Sequence, residues 1–374
     1  MDYELLWDIV NNKVPELKNW IAKIITEHNK KIRRGKMLTF VTFAVKTQLN
    51  VHDLNNEAVA GNVNDIRIME FVDEEGSRQE APAVSGRMLK HWHLEGMRHL
   101  ILNGGYSSIP LCAGCKIGEP IRPAVLSGEK LEQIKPNKLK EEEDFVKKCA
   151  ICDIHGYLIA HEAKGESGEE VEGETKEEKK GKKQKGLNLR RTSRAMFSWL
   201  MPVLGTETAQ KQVLHTRVSQ QESITEGEGA AQMIFNKSYA SGIYAFVAAL
   251  DVDRIGLVEL NLGSSRPYAV DNNSGRKERI KVAIEAYRMM LCGKIGASLS
   301  HALPHQNPVE LLVAYSETGP LPFPVSPMYS NWLRKTIGLM PQGTQFLYWG
   351  AESIENVNKK NTLDEIFEEL LNKV

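Results

Sequence analysis

Four of the five cysteines fall into two tight pairs, C-A-G-C at 112–115 and C-A-I-C at 149–152. Two residues between thiolates make a knuckle that offers both sulfurs to one ion, and two knuckles supply the four ligands of tetrahedral zinc. The spacing predicts a structural zinc site of Cys112, Cys115, Cys149 and Cys152. A shell closed by four sulfurs leaves no position for water, so such an ion staples an insertion and does not catalyse. The alternative is two unrelated pairs of buried thiols. His155 either replaces one cysteine or sits nearby, and the lone Cys292, inside a helical pattern, reads as a core residue. His91 and His93 stand two apart on a predicted helix and face nearly opposite sides, so they cannot chelate one ion. The His161–Glu162 pair lacks a second histidine four residues on. No nucleophile elbow and no Ser/His/Asp order is present, and the chain is expected not to be an enzyme.

Three other stretches carry groups suited to phosphate. The segment APAVSGRMLKHWHLEGMRHLI at 81–101 predicts a helix over 85–102, with Val84, Met88, Leu89, Trp92, Met97 and Leu100 on a core face. Its other face carries Arg87, His91, Leu94 and Arg98 at steps of three or four, with Lys90 alongside, a largely basic stripe. Ser85 stands where an N-cap belongs, and Gly86 permits close approach to the first turn. Unpaired N–H groups and the positive end of the dipole there suit an anion, the alternative being an ordinary capped helix with a solvated basic face. The second stretch, CGKIGASLSHALPH at 292–305, presents Gly293, Lys294, Gly296 and Ser298, whose amides can cradle a sugar-phosphate backbone, although a helix C-cap accounts for Gly293 alone. The third, LNLRRTSRAMFSWLMPV at 187–203, sets Arg190, Arg191 and Arg194 among Phe197, Trp199 and Met201. Cations interleaved with aromatics suit single-stranded nucleic acid, the alternative being a loop that re-enters a core through its aromatics.

The elements that must position these groups follow from periodicity. An amphipathic helix is predicted around 8–28 and a strand over 37–49, followed by a polar segment punctuated by Asn, Asp and Gly and read as an insertion loop over 51–84. Strands are predicted at 212–220, 241–253 and 309–315, and helices at 277–291 and 362–373. The tract from 164 to 186, charged and without aromatics, is too polar to order itself. Stripped of insertions, the order is strand, helix, strand, strand, helix, strand. That is the α+β, ferredoxin-like βαββαβ plan also used by RNA-recognition modules. The segments run as 1–50 (helix and first strand), 51–84, 85–111 (helix), 112–160 (zinc insertion), 161–188 (charged tract), 189–211 (thumb-like insertion), 212–345 (remainder of the palm) and 346–374 (C-terminal helix).

The 48 basic and 48 acidic side chains cancel, yet acid crowds into 141–144 and 166–178 and leaves the folded segments with surplus Lys and Arg. A neutral sum can hide a basic groove. The opening MDYELLWDIV shows no signal-peptide pattern, and the longest apolar run, IYAFVAAL at 243–250, is far short of the ~20 residues that span a bilayer. A cytoplasmic protein without a membrane partner is expected.

The stretch LTFVTFAVKTQLNVHDLNNEAVAGN, the segment A-P-A-V-S-G-R-M-L-K-H-W-H and the loop GKIGASLSHALP together resemble the DevR-type CRISPR-associated proteins, and more closely their archaeal type I-A branch. The resemblance implies a modified ferredoxin-like palm with finger-like and thumb-like lobes. It further implies a non-catalytic backbone subunit of the Cascade surveillance complex. Copies would stack in a helical filament beside other Cascade subunits, grip guide RNA by its phosphates and leave its bases to pair with invader DNA. By position, Ser85, Gly86, Arg87, Lys90, His91, Gly293, Lys294, Gly296 and Ser298 would hold the guide, with Arg190, Arg191 and Arg194 in a thumb. Two other classes compete: a zinc-dependent RNA-processing enzyme using His155 or His161, and a transcriptional autoregulator that binds duplex DNA.

Overall fold

The computed structural model describes residues 37–54, 56–60, 63–134, 142–159, 189–218, 232–261, 263–265, 267–272, 275–291 and 302–374. The expected helix at 8–28, the charged tract at 161–188, Cys292 and the Gly/Lys loop with Gly293, Lys294, Gly296 and Ser298 lie outside the described residues.

The architecture is mixed α+β, built on a ten-stranded sheet. Its centre is β1 (Phe40–His52), whose run of β-branched and aromatic residues is buried on both faces. β13 (Gln232–Asp251) lies antiparallel on one side of β1, with Phe40 opposite Asp251, and β14 (His305–Ser316) lies antiparallel on the other, with Phe40 opposite Ser316. Twenty residues make β13 long enough to serve several partners. Its far edge takes β12 (Ala209–Val218) in a long hairpin, then β11 (Met201–Pro202) and β10 (Ala195–Phe197). β15 (Gln345–Trp349) and β16 (Asn358–Lys359) extend the sheet beyond β14.

One face of β1 sends Val41, Phe43 and Val45 into the main core beneath α1 (Gly86–Asn103), α5 (Arg276–Leu291) and α7 (Leu363–Asn372). Phe43 stacks on Tyr287 of α5 at 4.4 Å and on Phe367 of α7 at 6.3 Å. Each such buried aromatic contributes about 1.5–3 kcal/mol by leaving water. The other face of the sheet packs Ala44 and Leu312 against Trp332 and Leu333 of α6 (Trp332–Leu339).

The segment read as an insertion loop forms two hairpins instead: β2 (Asn56–Ala60) with β3 (Val63–Ile66), and β4 (Ile68–Val72) with β5 (Arg78–Pro82). β3 joins the sheet parallel to β13, and Glu74 at the second tip accepts hydrogen bonds from Ser330 N–H, Ser330 Oγ and Lys335 Nζ. Backbone pairing made strands here from residues whose types favour turns.

The cysteine insertion comprises α2 (Ala113–Ile117), the hairpin of β6 (Ala124–Ser127) and β7 (Lys130–Gln133), α3 (Glu142–Lys148), α4 (Ala150–His155) and β8 (Tyr157–Ile159), the last paired with β9 (Leu189–Arg191). Phe145, Ile151 and Ile154 continue the main core, so the insertion shares its hydrophobic interior with the sheet and helices. No helix among the described residues is long and apolar enough to cross a membrane.

Candidate metal centre and nucleic-acid interface

The two knuckles meet. Cys112 stands at the N-cap of α2 with Cys115 one turn on, and Cys149 and Cys152 hold the same positions on α4. All four sulfurs lie within 4.8 Å of one another, and the Cys112–Cys152 and Cys115–Cys152 separations are 3.8 and 3.9 Å. A tetrahedral ion with Zn–S bonds of ~2.3 Å requires sulfur separations of ~3.8 Å. Cys149 Sγ also accepts the backbone N–H of Cys152 at 3.3 Å, a bond that favours thiolate. The surrounding thiols push the Cys112 proton off, while their contact with Cys112 raises Cys115 and Cys152. Four sulfurs so close cannot all carry charge unaided, and a dication at their centre resolves the conflict. The cluster is therefore suited to hold a metal ion. His155 is not a ligand. It is buried, and its Nε2 lies 2.9 Å from Nδ1 of buried His93, whose Nε2 bonds the Ala283 carbonyl at 2.9 Å. With Nε2–H of His93 donating to that carbonyl, Nδ1 accepts from His155. Burial holds His93 down to about 3 and His155 well below the usual imidazole range, so the pair is neutral and links α4 to α1 and α5.

Two carboxylates and two guanidiniums lock the insertion to the palm. Asp153 of α4 pairs with Arg191 and, at 2.8 Å, with Arg279 of α5, while Glu142 of α3 pairs with Arg191 at 2.9 Å. All four residues are at most 3% exposed. This corrects the expectation for the third basic stretch. Arg191 is consumed in that network, and Arg194 is buried against Glu259 at 3.0 Å, so neither presents its guanidinium to a strand. Phe197 stacks toward Tyr287 in the core at 5.4 Å. The stretch re-enters the core through Ala195, Phe197 and Leu200, and Arg190 alone of its three arginines is exposed.

At the start of α1, Ser85 caps as expected, its Oγ accepting the Met88 N–H at 3.3 Å. The close approach permitted by Gly86 is made by the chain itself: a Cβ there would lie 2.7 Å from the Phe197 carbonyl oxygen and 2.8 Å from that of Ser198. Both residues thus serve the fold, and Ser85 is only 7% exposed. The core face is also rotated from the expected one. Leu89, His93, Leu94, Met97 and Ile101 are buried, while Met88, Trp92 and Leu100 lie at its margin. Leu94 therefore drops out of the basic stripe, and Arg98 is neutralised by Glu95 at 2.7 Å. What remains outward is Arg87 and His91, both exposed, with Lys90 half-buried. Arg87 and Lys90 have no acidic partner among the described residues. Burial, then the nearby positive charge of Arg122, brings the Lys90 ammonium down to about 8, where it is still mostly charged at neutral pH. A fourth cation, Arg67, lies 5.8 Å from the Trp199 ring, beside the bridge between Val84 and Leu200.

The family model described as CRISPR-associated negative auto-regulator DevR/Csa2 matches residues 43–336. A protein of Methanocaldococcus jannaschii named CRISPR-associated protein Cas7/Cst2/DevR is 27% identical over 356 residues, covering 90% of this chain and 98% of that one. A protein of Saccharolobus solfataricus named CRISPR-associated aCascade subunit Cas7/Csa2 2 is 23% identical, covering 79% of this chain and 84% of that one. A solved chain of a CRISPR RNA-guided surveillance complex aligns over 89% of this chain and 99% of its own length, with a TM-score of 0.48 at 12% identity.

Proposed function

The chain belongs to the DevR/Csa2 family of CRISPR-associated proteins, and from that premise we propose that it is a non-catalytic, guide-RNA-binding backbone subunit of a type I-A Cascade complex. On this reading copies of the chain polymerise along the guide RNA, bind other Cascade subunits and present the guide for pairing with invader DNA. The palm is the ferredoxin-like one: β14–β1–β13 followed by the β10–β12 edge, with α1 and α5 on one face, supports it. The ion held by the four cysteines is zinc, which suits an all-thiolate tetrahedral shell, and its role is structural. Clustered reduced thiols fit a cytoplasmic setting.

The observation that carries the RNA reading is the pair of uncompensated cations at the start of α1, Arg87 and Lys90, with His91 beside them. Contacts to phosphate are independent of sequence, as a subunit serving many guides requires. The Gly293, Lys294, Gly296 and Ser298 loop follows α5 and is assigned to the same backbone on the resemblance of its sequence, and Arg190 is the one arginine of the third stretch still available for it. The chain purified with its cellular partners is expected to carry uncleaved RNA of mixed sequence. Recovery without RNA, metal-dependent cleavage of RNA by the purified chain, or selective binding of one duplex DNA sequence would replace this reading with the processing enzyme or the autoregulator.

A further inference from the structure

Building on the guide-RNA reading, we infer that Arg67 and Trp199 clamp one nucleotide of the strand beside the start of α1, the guanidinium on its phosphate and the indole against its base. Hydrogen bonds to the main chain hold both residues there. Arg67 links β3 to β4, and its carbonyl accepts the Ala83 N–H at 3.0 Å, two residues before the Ser85 cap. Trp199 lies between β10 and β11 and is pinned on both sides. Before it, the Ser198 N–H donates to the Val247 carbonyl of β13 at 2.9 Å, while Ser198 Oγ accepts the Val247 N–H at 2.9 Å and donates to the Trp199 carbonyl at 2.9 Å. After it, Leu200 and Val84 exchange both main-chain bonds, at 2.9 and 3.0 Å. The Arg67 guanidinium then stands 5.8 Å from the centre of the Trp199 ring.

Two features separate this pair from an ordinary surface contact. Five cations lie over aromatic rings among the described residues. Lys46, Lys237 and Lys373 also hold a carboxylate, and Arg276 bonds main-chain carbonyls. Arg67 alone has no oxygen acceptor among the described residues, and its Nε is buried without a partner. A guanidinium carries five N–H donors, and removing any of them from water unmatched is costly until an anion completes the site. The flat fork grips two phosphate oxygens at once. The second feature is the indole. Phe197 and Leu200 belong to the main core, and Met196 packs on the cluster of Phe40, Ala249, Ala314 and Leu321, whereas Trp199 joins no core cluster and is half-buried. An indole held rigidly outside the core, beside an unmatched cation, is a stacking platform. Stacking accepts every base, so it suits a subunit that serves many guides.

The test is binding of a labelled single-stranded RNA of mixed sequence by the full chain across a salt series, with the melting temperature of every variant measured. Arg67→Ala is expected to lose about fivefold in affinity at ~0.1 M salt and to flatten the log–log salt slope by about 0.7, the signature of one phosphate contact. Arg67→Gln, which keeps the stem of the side chain, should flatten the slope equally, and Arg67→Lys should keep it. Trp199→Ala should lose about tenfold, a loss that persists at ~1 M salt because stacking is not screened. RNA should also quench the tryptophan emission of the wild-type chain more than that of Trp199→Phe. If either alanine variant melts early, Arg67→Gln and Trp199→Phe still read the slope and the quenching. A wild-type slope in Arg67→Gln, or equal quenching in wild type and Trp199→Phe, would overturn the inference, and a loss in the Arg87→Ala/Lys90→Ala double variant in the same series would leave the guide-RNA reading intact. A wild-type chain that binds no RNA would remove the reading and the inference together.

Discussion

Replacing Asp153 by Ala tests how the insertion is fastened to the palm. The carboxylate is fully buried and accepts from Arg191, from Arg279 at 2.8 Å and from the Gly256 N–H at 3.0 and 3.1 Å. With Glu142 it balances two buried guanidiniums. In its absence Arg191 keeps Glu142 at 2.9 Å, but Arg279 keeps only the carbonyls of Val146 and Lys147, at 2.7 and 2.9 Å. An unmatched positive charge then remains in the interior. Removing one partner of a buried ion pair costs about 3–5 kcal/mol, a large share of the ~5–15 kcal/mol that separates folded from unfolded domains. Urea denaturation followed by tryptophan fluorescence measures it. Adding Arg279→Met to Asp153→Ala removes the stranded charge, so the double variant should be more stable than the sum of the single losses by about 2 kcal/mol. A loss below ~1 kcal/mol for Asp153→Ala, or strict additivity in the double variant, would refute the role given to the network.

Cys152→Ser should abolish stoichiometric metal binding and lower the melting temperature, whereas the wild-type chain should hold one ion, as elemental analysis and calorimetry will show. His52 is fully buried with both ring nitrogens unpartnered, and burial lowers it to about 4. The unfolded chain, titrating near 6.5, binds more protons across that window, so this contribution to stability is present above pH 6.5 and falls as pH drops toward 4. It amounts to about 2 kcal/mol lost by pH 5, and His52→Phe should flatten the pH dependence of denaturation there. Gly86→Ala forces a Cβ against two carbonyl oxygens of the neighbouring segment and should cost about 1–3 kcal/mol in the same assay, well beyond the gain in helix propensity from alanine.

The parts of the fold with strong period were legible: β1, α1 with its Ser85 cap, β13, α5, β14 and α7 all stand close to where hydrophobic spacing put them. The four cysteines were legible too, because metal-ligand spacing is a local property. The hairpins between 56 and 82 were not, since their strands are short and rich in Asn, Asp and Glu, and long-range pairing rather than propensity decides them. The fate of Arg191 and Arg194 was equally hidden. Their acidic partners Glu142, Asp153 and Glu259 lie 49, 38 and 65 residues away, so a run that looks cationic in sequence is neutral in space. At α1 the period was read correctly but the face was rotated, because His93, polar by type, is buried where it bonds His155 and Ala283.

The most direct measurement is the salt dependence of single-stranded RNA binding by the wild-type chain and by the Arg87→Ala/Lys90→Ala double variant, each against guides of unrelated sequence. Two lost phosphate contacts predict a slope shallower by about 1.4 and a loss of affinity that is equal for every sequence. An unchanged slope, or a loss confined to one sequence, would contradict the account.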